Sequence, residues 1–209
     1  MPAVRAWLLL LLLSPALASA ELLRLVADPW PPFNDQRLLG KGLASDLVEQ
    51  ALARAGYTTS YVEAPWERAV LGLKRGDYDV LINAWYSADR SEYGYFSQPY
   101  LVNRIRFMRR KGSDIQFETL ADLYPHNIAV VRGYAYSREF DSDPQLLKVG
   151  VGSFEIAARM LHAGRVQLAL EDELVARHLL ANKLSAIRDE LEFPVSYTHL
   201  RAHETEADL

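Results

Sequence analysis

The 209-residue chain contains no cysteine. Disulfides and thiolate chemistry are thereby excluded. It also lacks an excess of charge of one sign. Lys and Arg number 23 against 27 Asp and Glu, a net charge of −4. A phosphate backbone needs a basic face, so nucleic acid is not an expected partner. No G-x-S-x-G elbow, no H-E-x-x-H pair and no phosphate-binding loop occurs, so the residue sets of those reactions are missing. After the first twenty residues no apolar run approaches the ~20 residues that span a bilayer. Neither a cofactor nor a metal ion is expected. His199 and His203 have i, i+4 spacing, which would make a metal pair only on a helix.

What is present begins with a targeting segment, residues 1–20. Arg5 gives a positive start, residues 7–13 are apolar, and Ala18-Ser19-Ala20 is an A-x-A cleavage site. The apolar run is too short to span, and no cysteine follows for a lipid anchor. Export with cleavage near Glu21 is expected, into a bacterial periplasm. Half of the residues are hydrophobic, enough to build a core without staples, as one large domain or two small lobes.

Residues 22–27 read as an apolar strand that runs into Asp28-Pro29-Trp30-Pro31-Pro32-Phe33. The prolines forbid helix and strand and stiffen this loop. Its aromatics either cap the core or face a ligand. Leu43, Leu47, Val48, Ala51 and Leu52 follow at helical spacing, ending near Gly56. Residues 58–62 read as a strand. Pro65 then opens a helix carrying Trp66, Ala69, Val70 and Leu73, which Gly76 stops. Residues 80–82 are a third strand. The order β-α-β-α-β belongs to a parallel sheet with crossover helices. Trp66 falls at the helix start, the end that faces the sheet's ligand edge, where it either packs the helix or meets a ligand.

The third strand leaves through Asn83, Trp85, Ser87 and Arg90 and closes with Phe96-Ser97-Gln98-Pro99-Tyr100. In open α/β sheets ligands sit beyond the carboxyl ends of the strands. The guanidinium fork of Arg90 suits a carboxylate, although a surface arginine is the plainer alternative. Ser87-Ala88-Asp89-Arg90 with Phe96-Ser97-Gln98-Pro99-Tyr100 resembles the T-x-x-R…F-S-x-P-Y pattern of type 2 periplasmic solute-binding proteins of family 3, the receptors of amino-acid ABC importers. The resemblance covers about residues 22–195. It implies a two-lobed α/β fold, each lobe a mainly parallel sheet flanked by helices, with a hinge near residues 100–109. It also implies that Arg90 clamps the ligand's carboxylate and that Trp30 and Trp66 pack on the ligand; Trp85 and Ser87 are candidate ligand-binding residues from their place at the strand exit. Arg68 is a weaker second cation.

The second lobe repeats the alternation. Residues 127–131 are a strand ending at Arg132-Gly133-Tyr134-Ala135-Tyr136. This resembles the family's turn whose backbone N–H groups bind carboxylate, with Gly133 in place and Tyr134 where a small hydroxyl residue is usual. Residues 147–151 and 166–170 are strands around a helix capped by Ser153. Asp172 matches the aspartate that takes the ligand's ammonium, although Gln167 stands where the family often has another aspartate. From the residues alone, Asp172 is equally a helix cap.

The expected organisation is a signal at 1–20, a first lobe at 21–102, a second at 103–188, and a return strand toward the first lobe at 189–195. Residues 196–209 are polar, without core periodicity. Their S-Y-T-H-L-R-A-H-E-T run resembles translated sequencing adapter, so a non-native tail and an incomplete first lobe are expected. The function implied by the resemblance is capture of a small polar solute, an amino acid or related carboxylate or amine, by a monomer that hands it to a membrane permease. The alternatives are the sensing module of a signalling receptor and a periplasmic dehydratase-type enzyme. The enzyme would need a positioned acid or base, for which Glu63, Glu171 and Glu173 are candidates without a visible partner.

Overall fold

The computed structural model describes residues 20–194 and 200–201. The expected export signal, but for Ala20, and nearly all of the expected tail, His199 and His203 included, lie outside these residues. Among the described residues no helix is long and apolar enough to cross a membrane.

The first lobe is a three-stranded parallel sheet in the order β2-β1-β3. Its strands are β1 (Leu22–Ala27), β2 (Thr58–Glu63) and β3 (Val80–Leu81). Helix α1 (Leu43–Arg54) joins β1 to β2, and α2 (Trp66–Arg75) joins β2 to β3. The proline loop after β1 holds the start of α1. The N–H groups of Leu43 and Ala44 donate to the carbonyls of Pro32 (3.1 Å) and Phe33 (2.9 Å). A helix's first N–H groups lack intrahelical partners, and here the loop supplies them. The approach is so close that a Cβ on Gly42 would fall 2.5 Å from the Phe33 carbonyl oxygen. Phe33 is core, 2% exposed. After β3 comes the single turn α3 (Ala88–Ser91).

The second lobe is built on a larger sheet in the order β6-β5-β7-β4-β8. Its strands are β4 (Arg104–Arg110), β5 (Asn127–Val131), β6 (Leu147–Val151), β7 (Leu168–Asp172) and β8 (Leu191–Glu192), with β9 (Leu200–Arg201) also against β4. β5, β6 and β7 are parallel, while β4 runs antiparallel to both β7 and β8. The helices are α4 (Arg138–Ser142), α5 (Phe154–His162) and α6 (Glu173–Asn182). Ser153 caps α5 as expected, its hydroxyl accepting from the Ile156 N–H. β7 starts two residues later than its apolar run. Gln167 instead fastens the start of β5, its side-chain oxygen accepting from the Asn127 N–H at 2.8 Å.

The segment expected to return to the first lobe does not pair with the first sheet. It forms β8 on the edge of the second, with Leu191 opposite Arg110 and Glu192 opposite Arg109. Burial of Leu191 and the Arg109–Glu192 ion pair at 2.9 Å hold it there. The lobes nevertheless share apolar packing: one buried cluster takes in Leu25, Phe33 and Ile82 of the first lobe and Met108, Ala129 and Val151 of the second.

Candidate functional site

The carboxyl ends of β1 and β3 and the turn after β5 converge on one cavity. From the first lobe come Asp28, directly after β1, then Trp30, Trp66, Asn83, Trp85 and Arg90. From the second come Tyr134 and Ala135. The cavity is small, about 40 Å³, room for a few waters. Beyond it lies a groove of about 880 Å³, to which Ser87, Arg90, Gly133 and Tyr134 also contribute.

Arg90 forms the wall between the two spaces. Its guanidinium lies over the Trp66 ring, 4.7 Å from the centroid. It donates to the Trp85 carbonyl (2.6 Å) and, across the lobes, to the Gly133 carbonyl (3.0 Å). Burial pulls its pKa below the ordinary arginine value. It is therefore no surface arginine, but its donors are partly engaged by main-chain carbonyls.

Gly133 enters this contact through its carbonyl. Its φ of 76° is the left-handed region, and a Cβ there would lie 2.9 Å from Trp66 Cδ1. The expected anion-binding helix start is not at Gly133. The following helix begins at Arg138 and is capped by Ser137, whose hydroxyl accepts from the Phe140 N–H. The Tyr134 N–H is occupied as well, donating to the Val131 carbonyl at 3.2 Å.

Two further hydrogen bonds cross the lobes. The Tyr134 hydroxyl donates to Asp28 Oδ2 at 2.5 Å, and Trp30 Nε1 donates to Glu171 Oε1 at 3.0 Å. Tyr134 also packs edge-on against Trp66, centroids 5.9 Å apart. Trp30 meets Trp85 edge-on at 6.0 Å. Burial pushes the Asp28 carboxyl up to about 6, against the hydrogen bonds from Tyr134 and the Trp66 N–H. Burial pushes Glu171, which is 2% exposed, up to about 8.

Asp172 is not brought to the cavity. Its Oδ1 accepts from the N–H groups of Leu174 and Val175, which makes it the N-cap of α6. Its Oδ2 accepts from the Arg104 N–H and Asn103 Nδ2. Ser87 lines only the outer groove, and Arg68 is exposed outside both spaces. Among the described residues no cluster of three or more His, Asp or Glu side chains could hold a metal ion. Sequence reasoning missed Asp28 as a site residue and left Asn83 unassigned. The available signal was position, since each is the first polar residue beyond a strand's carboxyl end.

Two α/β lobes closing on one aromatic-walled cavity are the architecture of hinged small-molecule binders. The sequence matches the bacterial extracellular solute-binding proteins, family 3, over residues 23–206, and the chain belongs to that family. It is similar to the L-cystine-binding protein of Escherichia coli K12, 26% identical over 166 residues, covering 72% of this chain and 58% of the relative. A probable histidine-binding protein of Campylobacter jejuni is 24% identical over 159 residues, covering 74% of this chain and 61% of the relative. The chain thus spans about three-fifths of the length of these curated relatives. Among solved structures it resembles an ancestral arginine-binding protein bound to arginine, with a TM-score of 0.70 at 21% identity over 87% of this chain and 82% of the other. The arginine-bound truncated ArgBP of T. maritima gives a TM-score of 0.70 at 24% identity, covering 85% and 83%.

Proposed function

We propose that the chain is the binding module of a periplasmic receptor that captures an amino acid between its lobes and presents it to the permease of an ABC importer. The observation that carries this reading is the cavity itself: aromatic walls, a guanidinium and a carboxylate, closed by groups of both lobes. The lobes are residues 21–102 and 103–188, and residues 1–20 are the export signal. Relatives named for cystine, histidine and arginine binding support an amino-acid ligand. The protein binds and releases its solute without transforming it.

In this reading Arg90 takes the solute's carboxylate, giving up the Gly133 carbonyl to do so. Asp28 takes the ammonium, in place of Asp172, because Asp28 lines the cavity and Asp172 is committed to capping α6. Trp30, Trp66 and Trp85 supply flat apolar surface that also suits a cation. A solute held by both lobes binds the closed form better and shifts the hinge equilibrium toward it.

The test is a thermal-shift screen of the purified chain against the L-amino acids, polyamines, small carboxylates and short peptides. A ligand bound only by the folded state at a hundredfold excess over its Kd stabilises by ~2.7 kcal/mol. An upward shift with at least one L-amino acid is expected. A folded protein with no shift for any of them overturns the receptor reading.

A further inference from the structure

Four rings wall the inner cavity: Trp30, Trp66 and Trp85 from the first lobe and Tyr134 from the second. They stand in two pairs, each set near a right angle. The planes of Trp30 and Trp85 cross at 75°, and those of Trp66 and Tyr134 at 82°. Each pair therefore makes a corner of π surface. The Trp66 ring already bears a cation, the Arg90 guanidinium, 4.7 Å from its centroid. A carboxylate, Asp28, lies in the same wall.

Among the described residues of this wall, the side-chain acceptors are already engaged. Asp28 accepts from the Tyr134 hydroxyl and the Trp66 N–H. Asn34 accepts from the Ser45 hydroxyl at 3.0 Å, and Asn83 from the Tyr100 hydroxyl at 3.2 Å. The Trp85 carbonyl is taken by Arg90. A free ammonium brings three N–H donors, and stripping them of water is costly unless acceptors replace it. The wall therefore suits the charge of a cation better than its N–H groups. Asp28 balances that charge and the rings attract it. An ammonium whose protons are replaced by methyl groups has no donors to satisfy, and its methyls gain from apolar burial. Size agrees: about 40 Å³, the room of a few waters, suits a compact head group and not a long side chain.

We propose that the inner cavity is a cage for a methylated ammonium, and that the solute is an N-methylated amino acid of the betaine class. The inference rests on the receptor reading and narrows its solute. In glycine betaine one carbon separates the nitrogen from the carboxyl group. The head can sit among the rings while the carboxylate meets Arg90, which lines the same cavity.

Calorimetric titration of the chain tests it with three probes: glycine, glycine betaine and 3,3-dimethylbutanoate. The last has the shape and the carboxylate of glycine betaine without the positive charge. Glycine betaine is expected to bind ~10–30-fold more tightly than either of the others, the range of a desolvated cation over aromatic rings. Trp85 is half-buried, and Trp85→Leu keeps apolar bulk there while removing a π face. It should cut the preference for glycine betaine over 3,3-dimethylbutanoate several-fold.

Glycine betaine bound no more tightly than glycine overturns the inference, and leaves the receptor reading standing where any L-amino acid binds. Equal affinity for glycine betaine and 3,3-dimethylbutanoate also overturns it, since shape alone then accounts for binding. So does an unchanged preference in a folded Trp85→Leu protein. If that variant does not fold, the comparison of the two probes in wild type decides. Failure of wild type to bind glycine betaine or any L-amino acid overturns the receptor reading and this inference with it.

Discussion

Arg90 and Glu171 show how one charged side chain is kept inside a folded protein in two different ways. Arg90 is stacked on Trp66 and hydrogen-bonded to two carbonyls, so its charge is retained at the cavity wall. Replacing it with alanine is expected to weaken binding of any carboxylate solute ~100-fold or more, the equivalent of two charge-assisted hydrogen bonds. Circular dichroism should show the fold retained, and calorimetry that finds unchanged affinity would remove the clamp. Glu171 instead keeps its proton. Its ordinary value is 4.5, and in the folded protein burial lifts it to about 8, with Asp172 and Asp28 adding repulsion. Tyr134 and Tyr136 also face it. The folded state holds a proton that the unfolded state releases, so this group's contribution is full below pH 4.5 and is lost as the pH rises through about 8. Glu171→Gln keeps an oxygen for Trp30 Nε1 and the Asp172 N–H. It should melt with wild type near pH 4.5 and several degrees above it at pH 8.5. Parallel melting curves across that range would show that Glu171 does not titrate there.

At the scale of elements, the loop–helix junction at Gly42 shows what a backbone approach demands. A Cβ there would meet the Phe33 carbonyl at 2.5 Å on top of a φ of 97°. Gly56 has a similar φ, 92°, with nothing within 4 Å of the same position. Gly56→Ala is expected to cost only the backbone strain, ~1–3 kcal/mol, and Gly42→Ala distinctly more, because the start of α1 must shift. Urea unfolding of the two variants compares them, and equal midpoints would mean the loop yields freely.

Most elements were legible in the sequence for the same local reason. Apolar spacing marks β1, α1, β2, α2 and β5, and Ser153, Pro65 and Gly76 mark helix ends. The structure bears out the fold class on those elements. What was not legible depends on partners far away in the chain. β8 could be read as a strand, but its neighbour β4 lies some eighty residues earlier. Asp172 could be read as a cap or a ligand group, and only the Leu174, Val175, Arg104 and Asn103 donors decide that it caps. Asp28 and Asn83 were hidden by their ordinariness, as polar residues after strands. Their significance comes from the cavity that the opposite lobe closes.

For the whole molecule, the lobes are fastened by a few polar contacts around the cavity as well as by apolar packing. Tyr134→Phe keeps the ring against Trp66 and deletes only the bond to Asp28. It should shift the population toward the open form, seen as a larger radius of gyration by small-angle scattering of the free protein. An unchanged radius would assign closure to the packing alone. The Arg90–Gly133 bond carries the further consequence. The carbonyl oxygen of Gly133 already occupies donors that a carboxylate would want, so the protein contains its own rival for the site. A rival tethered in the same molecule cannot be diluted away, and it scales down the affinity for every carboxylate solute by one common factor. In the proposed receptor, the strength of that one bond sets the external concentration at which a response begins, separately from which solute is preferred.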